Sequence, residues 1–273
     1  MERIYLTVTR LAKDGADGSL TNFAYHLGKN VLPVKTKEKL RRLQLKTRLF
    51  GLQYLTKSPE KRERWFRDMW LNRPSGAHLD EYWESDDERR RALVKMICDL
   101  IIDSKKSTFS ILEYGSLVSP TFRILSEKPP QSRLNLFAVE PNNAAVEYLR
   151  NKLPQVSVFE GDDVHFTDSA ETFPSTQLDL SFSVGVFATM STIRVRRVLK
   201  KLAHCSDRIL LHEHWANLDG KDNYWSASAG SPLFYHPYQS ILSDLDFEIE
   251  FIQTDIKYGK FTCGYILAKR IST

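Results

Sequence analysis

Acidic side chains recur where apolar segments of the chain give way to turns. They are Glu113, Glu140, Asp162 and Asp163. Because parallel strands end along one edge of a sheet, strands that end at these points would gather the carboxylates in one crevice. A ligand with a charged head, a ribose and an adenine would fit them in that order. Glu140 follows Gly115 by 25 residues, a spacing typical of the acid that binds a ribose diol in nucleotide folds.

Two histidines, His212 and His214, flank Glu213 at the end of another apolar segment. Alternate residues of a strand face the same side, so both imidazoles would point in one direction. Imidazole titrates near neutral pH, and either histidine could therefore accept a proton from a hydroxyl nucleophile. Both could equally be structural. A metal site would need a third ligand, which the sequence does not indicate.

Aromatic residues are concentrated in two segments near these candidates. Tyr82 and Trp83 precede a predicted helix, and Trp215, Tyr224 and Trp225 follow the second histidine. These side chains could line or cover a pocket for an acceptor substrate. They could instead pack a helix against the sheet and order a long loop. The sequence leaves both alternatives open.

The elements that would position these residues alternate between strands and helices. Apolar segments bounded by turns predict five parallel strands, at 109–113, 134–140, 156–160, 178–184 and 208–214. The segments 247–254 and 261–269 predict a closing hairpin with one antiparallel strand. Such alternation predicts an α/β fold in which helices cover both faces of a mostly parallel sheet.

Capping signals predict where three of the helices begin. Ser119 and Pro120 are typical of an N-cap and a first helical residue. Ser85 with Glu88 fits a capping box for a helix over 86–102, and Asn143 is predicted to cap a helix over 144–152. The first of these helices would follow directly on the glycine turn, so its free N–H groups would favour an anionic ligand group.

The N-terminal part of the chain, residues 1–75, is predicted to be a basic and largely helical extension. Between Lys35 and Arg67, 12 lysines and arginines against 3 glutamates give a net charge of +9, whereas the whole chain carries +5. Such an arm could contact phosphate, a membrane surface or another subunit, or be a solvated helical face. The linker-like segment 72–76 separates it from a second domain, 76–273.

Size and composition restrict the class of protein. With 273 residues and 42% hydrophobic content, the chain can bury one full core. The sequence contains no apolar segment of the roughly 20 residues needed to span a bilayer, so we expect a soluble, cytoplasmic protein. Its 3 cysteines lie far apart, which argues against a disulfide framework or a zinc site.

From Tyr82 to Lys269 the sequence resembles the class I S-adenosylmethionine-dependent methyltransferases. The strings ILEYGS, FAVEPN, FEGDD and LDLSFSVGVFATM correspond to the first motif, the ribose-binding acid, the adenine-side acid and the strand beside the methyl donor. The resemblance implies a Rossmann-like three-layer sandwich whose seven-stranded, mostly parallel sheet has a reversed last strand. It also implies S-adenosyl-L-methionine as cofactor, held at the methionine moiety by Glu113 and Gly115, at the ribose by Glu140, at the adenine by Asp162 with Asp163, and near the sulfonium by the backbone around Val184.

The sequence departs from the family at Leu117 and Ser119, where the first motif usually has glycines. Side chains here could narrow the cofactor site, which leaves either a shifted but working loop or a fold that has lost its cofactor. The leading hypothesis is O-methylation of a small-molecule or glycan hydroxyl. The alternatives are a catalytically inactive, methyltransferase-like binding or scaffold protein, and an RNA methyltransferase that uses the basic arm. A nicotinamide oxidoreductase is disfavoured because its pyrophosphate needs the missing glycines.

Overall fold

The computed structural model of the protein describes residues 59–72, 76–127, 130–169, 173, 176–214, 233–258 and 261–271. The chain divides into two compact units, Met1–Arg62 with Trp225–Leu233, and Glu63–Tyr224 with Phe234–Thr273. The sheet and the candidate site belong to the second unit. Most of the predicted basic arm falls at residues 1–58, outside the described residues, and the predicted domain division at residue 75 stays a prediction.

The second unit is built on a seven-stranded sheet. Its strands are β1 (Thr108–Tyr114), β2 (Arg133–Glu140), β3 (Val156–Glu160), β4 (Leu180–Val184), β5 (Arg208–His214), β6 (Phe247–Tyr258) and β7 (Phe261–Arg270). Across the sheet they lie in the order β3-β2-β1-β4-β5-β7-β6. Strands β1 to β5 pair in parallel, and β7 runs antiparallel to both of its neighbours. The predicted mostly parallel sheet with a reversed last strand is confirmed.

Helices cover both faces of this sheet. In the described part of the chain they are α1 (Pro59–Asn72), α2 (Gly76–Trp83), α3 (Glu88–Ser104), α4 (Pro120–Glu127), α5 (Asn143–Lys152), α6 (Asp163–Asp168), α7 (Thr192–Cys205) and α8 (Tyr238–Ser243), with a 3₁₀ turn at Phe187–Thr189. One core layer contains α3, α4 and α5, and the other contains α6, α7 and α8. None of the helices described is both long and apolar enough to cross a membrane.

Alternating side chains of β1 supply both core layers. Ile111 packs with the helices α3 to α5, whereas Leu112 packs with α6 to α8. Both side chains are fully buried, as expected for a parallel strand covered on two faces. This alternation produces the predicted three-layer sandwich and brings the carboxyl ends of the parallel strands to one edge.

Two predicted helix caps are wrong by one or two residues. The N-cap of α3 is Asp87, not Ser85, because the Asp87 Oδ1 atom accepts the Arg90 N–H at 2.9 Å. The N-cap of α5 is Asn142, whose side chain accepts the N–H of Ala145 at 2.9 Å. In each case the residue that can reach the third helical N–H becomes the cap.

The predicted start of α4 is confirmed. The hydroxyl of Ser119 accepts the N–H of Phe122 at 3.2 Å, and Pro120 is the first helical residue. Proline costs nothing at this position, because its missing N–H would have had no partner within the helix. The turn after β1 therefore leads directly into a helix.

Candidate active site

A cavity of about 350 Å³ opens at the carboxyl ends of the parallel strands. The structure brings most of the predicted site residues to its wall, namely Tyr82, Glu113, Gly115, Glu140, Asp162, Asp163, Val184, His212 and His214. These residues lie on separate elements, since β1, β2, β4 and β5 and the loop after β3 each contribute at least one of them. The sheet edge gathers them, as the sequence predicts.

The glycine turn after β1 fits closely against the loop after β4. Gly115 has φ +72°, and a Cβ atom added to it would lie 2.5 Å from Cγ2 of Val186. Its N–H donates to the carbonyl of Val139 at 2.9 Å, which ties the turn to the end of β2. Any other residue at position 115 would therefore displace either the turn after β1 or the loop after β4.

Leu117 and Ser119 adopt the left-handed conformation that glycine favours. Their φ angles are +47° and +45°, so the loop keeps a glycine-like path although it carries side chains. The Leu117 side chain packs against the buried cluster of Leu79, Val118 and Ala145, and Leu117 also lines the cavity. Leu117 thus forms part of the wall, and the cavity remains open beside it.

Glu113 is buried at the end of β1, with 4% of its surface exposed. Its Oε2 atom accepts a hydrogen bond from the Ser119 hydroxyl. Burial raises the pKa of Glu113 to about 8, although the Ser119 hydrogen bond and the positive charge of Arg90 oppose the shift. Arg90 also lines the cavity, so a guanidinium lies close to this carboxyl group. Sequence reasoning missed Arg90.

Glu140 binds the backbone of two loops. Its Oε1 atom accepts the N–H of Asn142 at 2.9 Å, and its Oε2 atom accepts the N–H of Leu117 at 2.7 Å. Burial raises the pKa of Glu140 to about 7, and these two hydrogen bonds limit the shift. Each carboxylate oxygen can accept more than one hydrogen bond, so the group is able to receive the hydroxyls of a ligand as well.

The adjacent acids Asp162 and Asp163 have different partners. Asp162 is the N-cap of α6, and its Oδ1 atom accepts the N–H of His165 at 3.0 Å. Burial opposes ionisation of Asp162, but its bonds to His165 prevail and lower its pKa. Asp163 pairs with Arg194, whose Nε atom lies 2.6 Å from Asp163 Oδ2. Asp163 therefore has an ion-pair partner within the protein, and its role toward a cofactor stays a prediction.

Helix α1 also lines the cavity, through Glu63, Arg67, Trp70 and Leu71. Near its start, Glu63 Oε1 accepts the N–H of Ser191 at 2.7 Å and lies 3.1 Å from Nη1 of Arg194. At its end, the Nδ2 atom of Asn142 donates to the carbonyls of Trp70 and Leu71 at 2.9 and 3.0 Å. The sequence predicts a helix here, but the contacts that place it at the cavity span more than seventy residues.

His212 and His214 both face the cavity from β5. His212 is 5% exposed, and its ring stacks on Tyr265 with 4.5 Å between centroids. Its Nε2 atom is buried and has no hydrogen-bond partner. Burial, followed by the positive charge of Arg89, lowers the pKa of His212 to about 4, and the same two causes lower that of His214 to about 4. Both imidazoles are therefore neutral at neutral pH.

Glu213, which lies between the two histidines on β5, also lines the cavity and organises the loop after β4. Its Oε1 atom accepts the Ser183 hydroxyl at 3.1 Å and the N–H groups of Val186 and Phe187 at 3.1 and 3.2 Å. Its Oε2 atom accepts the N–H of Ala188 at 3.4 Å. Burial raises the pKa of Glu213 to about 7. In the sequence, its position between two histidines is the feature that draws attention to Glu213.

The predicted aromatic residues divide into three groups. Tyr82 lines the cavity. Trp83 lies outside the cavity lining and packs on Tyr148, at 5.8 Å between ring centroids, and beneath the guanidinium of Arg123 at 6.0 Å. This contact favours the packing alternative for Trp83. The predicted acceptor-pocket residues Trp215, Tyr224 and Trp225 lie outside the described residues.

Within the part of the chain that the structure describes, metal chemistry has no candidate centre. No three or more histidine, cysteine, aspartate or glutamate side chains there are placed to hold a metal ion. Cys263 lies near His214, with 3.9 Å between Sγ and Nδ1, and among the described residues no further metal-binding side chain joins them. The chemistry that these described residues offer is therefore carboxylate, imidazole and guanidinium chemistry.

Comparison with known proteins finds similarity of fold only. No protein-family model matches the sequence, and no curated protein sequence matches it. The magnesium protoporphyrin IX methyltransferase ChlM from Synechocystis PCC 6803, solved with bound S-adenosylmethionine, has a TM-score of 0.54 at 14% identity, over 77% of this chain and 97% of that one. The amino pentose methyltransferase CalS10 from Micromonospora echinaspora has a TM-score of 0.52 at 12% identity, and the match covers 73% of this chain and 99% of CalS10. The protein thus has the class I methyltransferase fold.

Proposed function

We propose that the protein is an S-adenosylmethionine-dependent methyltransferase that acts on a hydroxyl group of a small-molecule or glycan acceptor. The observation that carries the proposal is the grouping of Glu113, Glu140 and Asp162 around one cavity of a methyltransferase fold. ChlM, which has a similar fold, was solved with S-adenosylmethionine and with S-adenosylhomocysteine. No single carboxylate would distinguish this ligand, but the three in this order match its three parts.

The wall of the cavity fits this cofactor chemically. Once Glu113 has released its proton, Glu113 and Arg90 together offer a charge of each sign to the zwitterionic methionine moiety. Glu140 can accept the hydroxyls of the ribose, and Asp162 lines the cavity where the adenine would follow. Buried carboxylates favour a cationic ligand, because its charge offsets the cost of ionising them. The backbone near Val184 is then the expected neighbour of the sulfonium.

S-adenosylmethionine supplies a methyl group on a positively charged sulfur. The residues of the chain must bring the acceptor oxygen into line with it and take up the hydroxyl proton. His212 is the first candidate for the base, because its buried Nε2 atom faces the cavity without a partner and its pKa of about 4 keeps the imidazole neutral. His214 is the second candidate, since it lines the same wall.

Two alternatives have support of their own. A methyltransferase-like binding protein without activity is favoured by Leu117, whose side chain lines the cavity where the family usually has glycine. An RNA methyltransferase is favoured by the basic composition of residues 35–67. Most of that arm lies outside the described residues, so its contact with nucleic acid stays a prediction.

Calorimetric titration of the full chain with S-adenosylhomocysteine tests the cofactor, and transfer of labelled methyl groups to a panel of hydroxylated compounds tests the reaction. Binding together with transfer supports the proposal. Binding without transfer to any acceptor supports the binding-protein alternative. Salt-sensitive transfer to RNA supports the RNA methyltransferase alternative. An absence of heat at millimolar ligand would contradict every version that uses this cofactor.

A further inference from the structure

We propose that Arg89 binds an anionic group of the acceptor, so that the substrate of the methyl transfer is an acid that carries a carboxylate or a phosphate. The proposal rests on the proposed function, because it concerns the acceptor end of the same cavity. It extends that function by naming the charge of the substrate and the residue that recognises it.

Arg89 lies in the first turn of α3 and lines the cavity together with His212, His214 and Cys263. The positive charge of Arg89 acts on the two imidazoles and on the Cys263 thiol. Its backbone is also fixed there, since the carbonyl of Arg89 accepts the hydroxyl of Tyr265 at 2.7 Å. Tyr265 in turn stacks on His212. Arg89 is therefore held beside both candidate bases.

Guanidinium groups lie at this end of the cavity. Arg89 and Arg90 both line it, and among the described residues Asp87 pairs with Arg89, with 2.6 Å between Oδ2 and Nη2. A guanidinium has five N–H donors in a planar fork, so Arg89 can hold Asp87 and bind a second oxyanion. An anionic acceptor would be attracted to the Arg89 guanidinium, whereas an ammonium acceptor would be repelled.

An independent observation also indicates that a ligand atom belongs here. The Nε2 atom of His212 is buried without a hydrogen-bond partner, on a residue that is only 5% exposed. A buried polar atom without a partner is costly, and such atoms in native structures call for an explanation. A polar group of a bound acceptor, next to the group held by Arg89, would provide the missing partner.

Binding an acid at Arg89 would also activate the base. Burial is the first cause of the low pKa of His212 and the charge of Arg89 is the second, while Asp87 opposes them and His214 and Arg90 add smaller shifts. An anion on Arg89 cancels part of that positive charge and raises the proton affinity of His212. The imidazole would then be a stronger base only when an acceptor of the correct charge is present.

The test is titration of the full-length protein with acetate and, separately, with inorganic phosphate. The NMR signals of the imidazole Cε1–H groups report the binding of each anion. The signals are assigned with His212→Gln and His214→Gln variants. We expect saturable shifts of both signals and a rise in the pKa of His212. Arg89→Gln is expected to weaken the response by about tenfold or more, because it removes a charge-assisted hydrogen bond. Acetate and phosphate distinguish the two kinds of acid.

Arg91→Gln is the matched control, since Arg91 lies on the same helix but is 66% exposed and pairs with Asp86. Its response should equal that of the unaltered protein. If Arg89→Gln fails to fold, Arg89→Lys replaces it, and loss of the planar fork should still weaken binding. Shifts that do not saturate, or that persist in the Arg89 variants, overturn the proposal. S-adenosylhomocysteine binding, measured on the same samples, reports separately on the proposed function.

Discussion

Leu117 donates its backbone N–H to the Oε2 atom of Glu140 at 2.7 Å. The bond joins the turn after β1 to the carboxylate at the end of β2, and both residues line the cavity. Leu117 adopts a left-handed conformation that costs a residue with a side chain roughly 1–2 kcal/mol. The hydrogen bond to Glu140, worth about 1.5–3 kcal/mol when the carboxyl group is ionised, offsets this cost. Glu140 therefore holds the turn in a glycine-like path where the sequence has no glycine.

Replacement of Leu117 tests this backbone conformation. We expect Leu117→Gly to be more stable than Leu117→Ala by about 1 kcal/mol, because only glycine adopts a positive φ without steric cost. The free energy of unfolding in denaturant measures the difference. Ile102, an exposed residue in α3, provides the control, since there the alanine variant should be the more stable. The same order at both positions would contradict the left-handed assignment.

Replacement of Glu140 tests the ribose assignment. Glu140→Gln should weaken binding of S-adenosylhomocysteine by about tenfold or more, and Glu140→Ala should abolish it, because the charged acceptor for the ribose hydroxyls is lost. Calorimetry measures the affinity, and circular dichroism confirms that the fold remains. Glu147→Gln, at an exposed position of α5, should bind as the unaltered protein does. Equal affinity of the Glu140 and Glu147 variants would remove Glu140 from the site.

The affinity for a cationic cofactor should rise with pH. The pKa values of Glu113 and Glu140 are raised to about 8 and about 7, so both groups hold protons near neutral pH and release them when a cation binds. S-adenosylmethionine, which carries the sulfonium charge, should bind more tightly at about pH 8 than at about pH 6. Calorimetry in buffers of different ionisation enthalpy should detect the protons released. Glu113→Gln should reduce both effects, and a flat pH profile in the unaltered protein would argue against proton-linked binding.

A rise in pH should lower the stability of the ligand-free protein through the same carboxyl groups, although it strengthens cofactor binding. Their pKa values in the folded protein lie above the ordinary value of 4.5, so the folded state binds more protons than the unfolded state between about pH 4.5 and about pH 8. Their contribution is fully present at acid pH and is lost as the pH rises through 7 to 8. Unfolding without ligand should therefore become easier over the range in which the cofactor binds more tightly.

The two histidines can be separated by their effect on turnover. If the acceptor is a hydroxyl, His212→Ala or His214→Ala should lower kcat by a factor on the order of 10² or more, because a general base contributes about that much. Cofactor affinity should stay unchanged in both variants. His204→Ala, at an exposed position of α7, is the control for loss of an imidazole as such. Full activity of both β5 variants would leave these histidines with a structural role.

Glu213 should prove important for stability although no ligand is required to contact it. Glu213→Ala leaves the N–H groups of Val186, Phe187 and Ala188 without their acceptor, which should cost about 3 kcal/mol. Glu213→Gln keeps an acceptor oxygen and should cost less. Denaturant unfolding measures both, and Glu248→Ala, at an exposed position of β6, should be close to neutral. Equal costs at Glu213 and Glu248 would contradict the bonding described.

The sequence by itself determined the elements of the fold and the edge at which the site lies. Apolar periodicity and turn residues are local properties, so β3 and β5 agree with their predicted bounds, and β1 and β2 extend only one or two residues further. Parallel strands end at one edge of the sheet, which is why the sequence assigns Glu113, Glu140 and Asp162 to one cavity.

Only the tertiary structure decided which side chains complete that cavity. Glu63 reaches Ser191, and Arg89 reaches the end of β5, through contacts between residues more than one hundred positions apart. Local sequence patterns cannot predict such long-range contacts. Trp83 is aromatic whether it covers a ligand or packs on Tyr148, and Leu117 takes a glycine conformation because Glu140 accepts its N–H. Residue type sets what a side chain can do, and the packing of distant segments decides where it does it.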